Sequence, residues 1–285
     1  MKWSEDERGK KLEGALFFVH TIISLTNTLT RGNMRKWRIR MEQHEWLLGK
    51  RRGENVHSVF RHCIDVANCC DAMLRSAWFA SAVDQIGWHF RISKSATIKW
   101  VAFFAGLHDI GKLSLSFQMK IRNNVALKNH GVSCPVGFEE QPHNLISAKI
   151  VKDLLSHSGW NRKLLSNDLC GEIAAVLGGH HGYIPQKDEL NKVSEESIGK
   201  EPLWHASHVD LLNLLSDLCG ITSRTAVPKC RKRSKVVAFS LLTGVVSVSD
   251  WIGSSFDCDM ETSPEEYIEV SKKCAERWIS SLGFH

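Results

Sequence analysis

Residues 107–112 read Leu107-His108-Asp109-Ile110-Gly111-Lys112, and they end an apolar run, Trp100-Val101-Ala102-Phe103-Phe104-Ala105, in adjacent imidazole and carboxylate groups. A neutral imidazole and an ionised carboxylate at the end of a packed helix offer a cation mixed nitrogen and oxygen ligands. Gly111 lets the chain turn there without shielding them. Lys112 then stands close enough to meet an anionic substrate. The same residues also fit a plain structural role, with His108 filling a core and Asp109 paired with Lys112, so the rest of the chain must decide.

Upstream, Val56, Val59, Phe60, Cys63, Ile64, Ala67, Cys70, Met73, Leu74 and Ala77 trace one apolar stripe, which predicts a long helix from about Val56 with His62 beside the stripe. A second helix over 96–108 leads into the opening stretch. Residues 121–141 read as a loop, after which Pro142 starts a helix carrying Leu145, Ile146, Ile150, Val151, Leu154 and Leu155, with His143 in its first turn. A helix over 169–177 empties into Gly178-Gly179-His180-His181-Gly182, whose flanking turns are expected to expose both imidazoles. Residues 184–201 are polar and read as an exposed loop before a helix over 203–218. The stretch 236–253 is apolar enough to be a buried helix, yet it contains Asp250 immediately before Trp251. An ionised carboxylate at that depth is costly unless a cation or hydrogen bonds receive it. Ser263-Pro264-Glu265-Glu266 starts the last helix with Ser as N-cap, Pro at the first position and Glu at the third, and the helix should stop near Gly283. With no internal repeat and almost no strand alternation, the fold class is all-α.

A chain of 285 residues, 43% hydrophobic, can bury a full core and makes one large domain or a domain with an added piece. The division expected is a basic, Trp-containing helical extension over 1–53 and the main domain over 54–285. In the extension, Leu12, Leu16, Val19, Ile22, Ile23 and Leu29 fall at mostly helical spacing. Arg35, Lys36, Arg38, Arg40, Lys50, Arg51 and Arg52 are then interleaved with Trp37 and Trp46, and Arg52-Gly53-Glu54-Asn55 reads as a turn. The formal charge of +6 leans towards an anionic partner. Cations with interspersed indoles suit single-stranded nucleic acid, and so does the densest cationic run, 229–235, where Lys229, Arg231, Lys232 and Arg233 are candidate phosphate contacts. A solvated basic face is the competing reading. Nine cysteines without a C-x-x-C pair indicate neither a zinc knuckle nor a disulfide framework, and a reducing cytoplasm fits best. The apolar stretch 15–29 is interrupted by His20, Thr21, Thr26 and Asn27 and is too short to span a bilayer, so no membrane association is expected.

The polar residues stranded in or at the ends of apolar helices are therefore His62, His108, Asp109, His143, His180, His181 and Asp250. Seven ligands suit two metals better than one, because a bridging carboxylate can serve two ions about 3.5 to 4 Å apart. Imidazole-rich ligand sets favour divalent transition metals, Mn, Fe, Co or Ni, ahead of Mg. His130 competes with His143 for a place; Pro142 and the apolar stripe after it, which put His143 at a helix start, favour His143.

Five segments together resemble the HD nuclease domain of the type I CRISPR interference effector, the helicase-nuclease recruited by the Cascade surveillance complex. They are Arg61-His62-Cys63-Ile64-Asp65-Val66-Ala67, residues 107–112 with Phe117-Gln118 following, Pro142-His143-Asn144-Leu145-Ile146-Ser147-Ala148, Gly179-His180-His181-Gly182, and Ser249-Asp250-Trp251-Ile252-Gly253. The resemblance implies an HD-domain helical fold with a di-metal site that cuts single-stranded DNA. It implies that His62, His108, Asp109 and Asp250 hold one ion and that Asp109, His143, His180 and His181 hold the other, with Asp109 as bridge. The ions would make hydroxide from a shared water and stabilise charge on the scissile phosphate. Asp109 and Lys112 are the catalytic candidates, Lys112 as a phosphate contact. The family's effector continues into a helicase, but no G-x-x-x-x-G-K-[ST] loop occurs here, so the helicase is expected in trans, with a Cascade-type complex as a further partner. The competing functions are an HD phosphohydrolase of nucleotides, which would need a closed pocket, and a non-catalytic HD adaptor or regulator of the CRISPR complex.

Overall fold

A computed structural model describes residues 37–284 apart from 53–54, 122–123, 134, 136–137, 157–164, 232–234 and 257–261. The helix expected over 12–29, the basic residues Arg35 and Lys36, the turn residues Gly53 and Glu54, and the cations Lys232 and Arg233 lie outside the described residues. In chain order the elements are α1 (37–44), β1 (Leu48–Arg52), β2 (Asn55–Ser58), α2 (Val59–Arg75), α3 (Ala80–Phe90), α4 (Lys94–Leu107), α5 (Leu115–Ile121), α6 (Asn124–Asn129), α7 (His143–Ser156), α8 (Asn167–Gly178), α9 (Lys187–Asn191), α10 (Glu195–Ile198), α11 (Pro202–Leu218), α12 (Lys235–Gly253) and α13 (Pro264–Ser281).

Helix α2 is the hub, packing against α4, α12 and α13. Its apolar stripe accounts for that position, but the helix begins at Val59 because Ser58 caps it, its hydroxyl accepting from Arg61 N at 3.3 Å. Residues 56–58 instead form β2, which pairs antiparallel with β1 from Leu48 opposite Ser58 to Arg52 opposite Asn55. This hairpin is the only sheet among the described residues. It also crosses the division expected at residue 53: Met41 and Leu47 are fully buried in the same core as Val59 and Phe60.

Helix α4 starts on a Ser93 cap and is buried along most of its length, with Trp100, Phe103 and Phe104 packed edge-on or tilted against one another. It ends at Leu107, so that His108 and Asp109 leave the helix and enter a 3₁₀ turn over Ile110–Lys112. The loops expected over 121–141 and 184–201 contain the short helices α6, α9 and α10. Local caps explain two of them: Gln186 and Glu189 form a capping box on α9, and Ser194 caps α10. The last helix follows its sequence signals, with Pro264 in the first turn and the Ser263 hydroxyl both accepting from Glu266 N and donating to its carboxylate.

Helix α12 departs from the buried helix expected. Ala238, Leu242, Val245, Val246, Ser249 and Ile252 form its inward stripe, whereas Val236, Val237 and Trp251 are exposed. By length and composition Val236–Gly253 is apolar enough to cross a membrane, but here its inward side packs on α2, α3, α4 and α8. Gly253 completes the α2 contact, since a Cβ there would lie 3.1 Å from Val66 N.

Candidate metal centre

Five segments converge on one point. Helix α2 brings His62, the end of α4 brings His108 and Asp109, the first turn of α7 brings His143, the turn after α8 brings His180 and His181, and α12 brings Asp250. Two close approaches make this possible. A Cβ on Gly111 would sit 2.1 Å from His143 O and 2.5 Å from Ser147 N, and Gly111 N donates to Ser147 Oγ at 2.8 Å. Gly111 is not among the residues with positive φ, so glycine is required there by the approach of α7 rather than by the turn. Gly178 plays the same part for α8, where a Cβ would lie 2.9 Å from Ala148 Cβ.

The Asp109 carboxylate divides the site. Its Oδ2 lies 3.0 Å from His62 Nε2, 3.3 Å from His108 Nε2 and 2.6 Å from Lys112 Nζ, while its Oδ1 lies 3.3 Å from His143 Nε2 and 3.5 Å from His180 Nε2. Asp250 Oδ1 approaches His62 and His108 at 3.5 and 3.4 Å and accepts from Ser254 Oγ at 3.0 Å. His181 Nε2 stands 3.2 Å from His143 Nε2. Two groups of donor atoms result, each within 4.8 Å: His62, His108, Asp109 and Asp250, and His143, His180 and His181.

The donor chemistry fits metal ions. Buried His108 Nε2, Asp109 Oδ1 and His180 Nε2 have no hydrogen-bond partner, an expensive condition for three polar atoms in one place. His108 Nδ1–H donates to Ala105 O at 2.7 Å and His180 Nδ1–H donates to Leu177 O, which leaves each Nε2 with a lone pair aimed into the site. Burial disfavours the His108 imidazolium, but Asp109 and Asp250 outweigh it and raise its pKa to about 10. Burial, helped by Lys112, pushes His62 the other way, to about 4. Burial likewise opposes the charged forms of Asp109 and Asp250, yet His108 holds both below the ordinary carboxylate range, aided at Asp109 by Lys112 and at Asp250 by His62. Burial, then His180 and His143, lower His181.

All seven side chains expected from the sequence are in these two groups. His130 is not; it stacks on Trp46 with ring centroids 3.8 Å apart. The expected exposure of both imidazoles of the His pair is corrected: His180 is buried, drawn inward by its bond to Leu177 O, and only His181 faces solvent. Lys112 is ion-paired within the cluster. Of the basic run, Lys229 N and Arg231 N donate to Phe90 O and His89 O at the end of α3, and the Arg231 guanidinium lies 4.4 Å over the Trp88 ring. Nothing in the sequence marks Ser254, one turn after Asp250 and hydrogen-bonded to it, and Ser147 and Gln118 lie in the quoted segments with no role evident there; Ser147 holds Gly111, and Gln118 is fully buried. That buried amide donates to Leu48 O and Lys112 O and accepts from Leu48 N, tying the 3₁₀ turn to the hairpin.

Residues 48–258 match the family model described as Cas3, HD domain. The CRISPR-associated endonuclease/helicase Cas3 of Thermus thermophilus is 22% identical over 249 residues, covering 86% of this chain and 26% of that protein. The chain spans about a quarter of the length of the curated relatives it matches. A crystal structure of a CRISPR-associated protein superposes with a TM-score of 0.71 at 28% identity, over 88% of this chain and 28% of that one. The Thermus thermophilus Cas3 HD domain, solved in the presence of Ni²⁺, superposes with a TM-score of 0.60 at 21% identity, over 84% of this chain and 91% of that one.

Proposed function

The chain belongs to the Cas3 HD-domain family and has its helical fold, and from that premise we propose that it is a metal-dependent nuclease hydrolysing phosphodiester bonds of single-stranded DNA in type I CRISPR interference. The observation that carries this reading is the division of Asp109, one carboxylate oxygen facing His62 and His108 and the other facing His143 and His180. His62, His108, Asp109 and Asp250 would hold one divalent transition-metal ion, and Asp109, His143, His180 and His181 a second. Ions held there supply Lewis acidity towards a phosphate oxygen and lower the pKa of water.

The protein's own residues do the rest. Ala105 O and Leu177 O keep His108 and His180 in the tautomer that presents Nε2. Gln118 and Ser147 hold the 3₁₀ turn so that Asp109 stays central. Lys112, 15% exposed at its side chain, carries an ammonium beside Asp109 that can reach for a phosphate at the mouth of the site. Translocation along DNA falls to a helicase outside these 285 residues, with a Cascade-type complex presenting the target. Cys63, Cys70 and Cys219 are free thiols, which suits a reducing compartment such as the cytoplasm.

The test is direct. The purified chain should degrade single-stranded DNA with Mn²⁺, Co²⁺ or Ni²⁺, stop on addition of EDTA, and be inactive as Asp109→Ala. Hydrolysis of free nucleotides with DNA left intact would make it a nucleotide phosphohydrolase instead, and metal binding without hydrolysis of either would make it an adaptor.

A further inference from the structure

Two exposed rings belong to residues that closely follow ligands of the candidate metal centre in the chain and are not themselves in the ligand groups. Tyr183 lies two residues past His181, and Trp251 directly follows Asp250. They are 55% and 68% exposed. Elsewhere on the surface Trp88 carries the Arg231 guanidinium and Trp78 packs edge-on against Phe284. Neither Tyr183 nor Trp251 has a ring or a cation packed against it among the described residues.

The two rings belong to opposite sides of Asp109. Tyr183 follows the His180–His181 pair, whose partner His143 faces Oδ1, while Trp251 follows Asp250, which approaches the His62 and His108 imidazoles facing Oδ2. A phosphodiester seated over the cluster would therefore have one ring to either side. Tyr183 is also held in place: its hydroxyl donates to Glu189 Oε2 at 2.8 Å, and the same oxygen accepts from Gln186 N at 2.8 Å. The turn beneath it is tight, since Gly182 has φ +92° and a Cβ on Gly179 would lie 2.9 Å from Ile184 Cγ1. The backbone of Trp251 is fixed by its helix, whose neighbouring residues Ser249 and Ile252 are buried. A ring already immobilised loses little freedom when a base stacks on it.

Exposed aromatic faces next to a phosphate-binding centre suit an unpaired strand, because bases within a duplex are already stacked on one another and cannot turn out to meet them. We propose that Tyr183 and Trp251 are stacking platforms for the unpaired bases on the two sides of the phosphodiester held at the metal centre. The proposal rests on the nuclease reading above and supplies its preference for single strands.

The experiment measures binding by fluorescence anisotropy, in Ni²⁺, of a labelled oligo(dT) and of a deoxyribose-phosphate chain of the same length without bases, both with phosphorothioate linkages to resist cleavage. The wild type should prefer oligo(dT). Tyr183→Ala and Trp251→Ala should each shrink that preference by about tenfold, the worth of one stacked base, and Tyr183→Phe and Trp251→Phe should restore most of it. A purely electrostatic or structural role would change both affinities together and leave their ratio alone. A ratio within twofold of wild type in both alanine variants overturns the proposal. Should the ratio fall as expected while no metal ion brings about cleavage, the platforms stand and the nuclease reading fails; should DNA be cleaved while the ratio stays flat, the nuclease stands and the platforms fail.

Discussion

Substitution of Gly111 by alanine tests whether the metal centre depends on how closely α7 approaches the 3₁₀ turn. The new methyl carbon would sit 2.1 Å from His143 O, 2.5 Å from Ser147 N and 2.8 Å from Ser147 Oγ. Two of those atoms are backbone, so no rotamer change relieves the clash, and the first turn of α7 must retreat by about 1 Å to reach the edge of ordinary contact. His143 would move with it, away from Asp109 Oδ1, from which it now stands 3.3 Å. A displacement of that size in a positioned group lowers activity by roughly 10²-fold, and overpacking itself costs about 1–3 kcal/mol. The assays are metal-dependent degradation of single-stranded DNA and the rise in Tm on adding Ni²⁺; both should collapse while far-ultraviolet circular dichroism still reports a helical protein. Gly171→Ala is the control: no atom outside its own helix lies within 4 Å of a Cβ there, so it should gain about 0.5–1 kcal/mol as a glycine replaced inside a helix. If Gly111→Ala keeps the wild-type rate and the wild-type Ni²⁺ shift, the close-approach argument is wrong.

Three further outcomes are expected. His208 is buried and donates from Nε2 to Leu113 O at 2.6 Å, and burial pushes its pKa down to about 4; because the unfolded chain protonates first, near 6.5, the stability this group contributes is intact above pH 6.5 and is lost as pH falls towards 4, by up to about 3 kcal/mol. Urea titrations across that range should show a shallower pH slope in His208→Gln, and parallel curves would refute the assignment. Burial raises the thiols of Cys63 and Cys219 well above their ordinary value and that of Cys70 to about 12, so peptide mapping after iodoacetamide at pH 8 should find these three unmodified in native protein and modified in urea. Lys229→Gln and Arg231→Gln should each reduce the salt slope of DNA binding by about one, and Arg231→Gln alone should also lower Tm, because only Arg231 stacks on Trp88 and donates to Trp88 O at the end of α3; an unchanged salt slope would remove both from the DNA surface.

The convergence of the seven side chains could be read from the sequence because each is a polar side chain set into an apolar helix or at its end, where periodicity makes it conspicuous. Asp250 is the plainest case, a carboxylate within a run of Val, Leu and Ser. What the sequence hid follows from the same physics. Strand β1, Leu48–Arg52, carries a glycine and three cations and breaks its register between Leu48 and Lys50, so no alternation announces it. Helix α12 is apolar on every side, and a uniform pattern cannot say which side faces solvent; only packing against α2 and α8 turns Ala238, Leu242 and Val246 inward and leaves Trp251 out. In Gly179-His180-His181-Gly182 the two imidazoles look alike in sequence; the bond from His180 Nδ1 to Leu177 O, which turns the first inward, depends on how the chain leaves α8.

Charge balance links the two roles read for Lys112. The Asp109 and Asp250 carboxylates act on the Lys112 ammonium and together raise the pKa of His108 to about 10, so cations and carboxylates already offset one another within the cluster. Two divalent cations seated as proposed would bring four positive charges against the same two carboxylates. His108 would have to be neutral to serve as a ligand, because Nε2 cannot hold a proton and a metal at once, and the Lys112 ammonium would share Asp109 Oδ2 with a cation. The added positive charge would leave Lys112 available to an entering phosphodiester. The ion pair and the proposed phosphate contact would thus be successive states of one side chain, and Lys112→Ala should weaken metal-free stability and DNA cleavage by different physical routes: the first through an unpaired buried carboxylate, the second through a missing cation at the substrate.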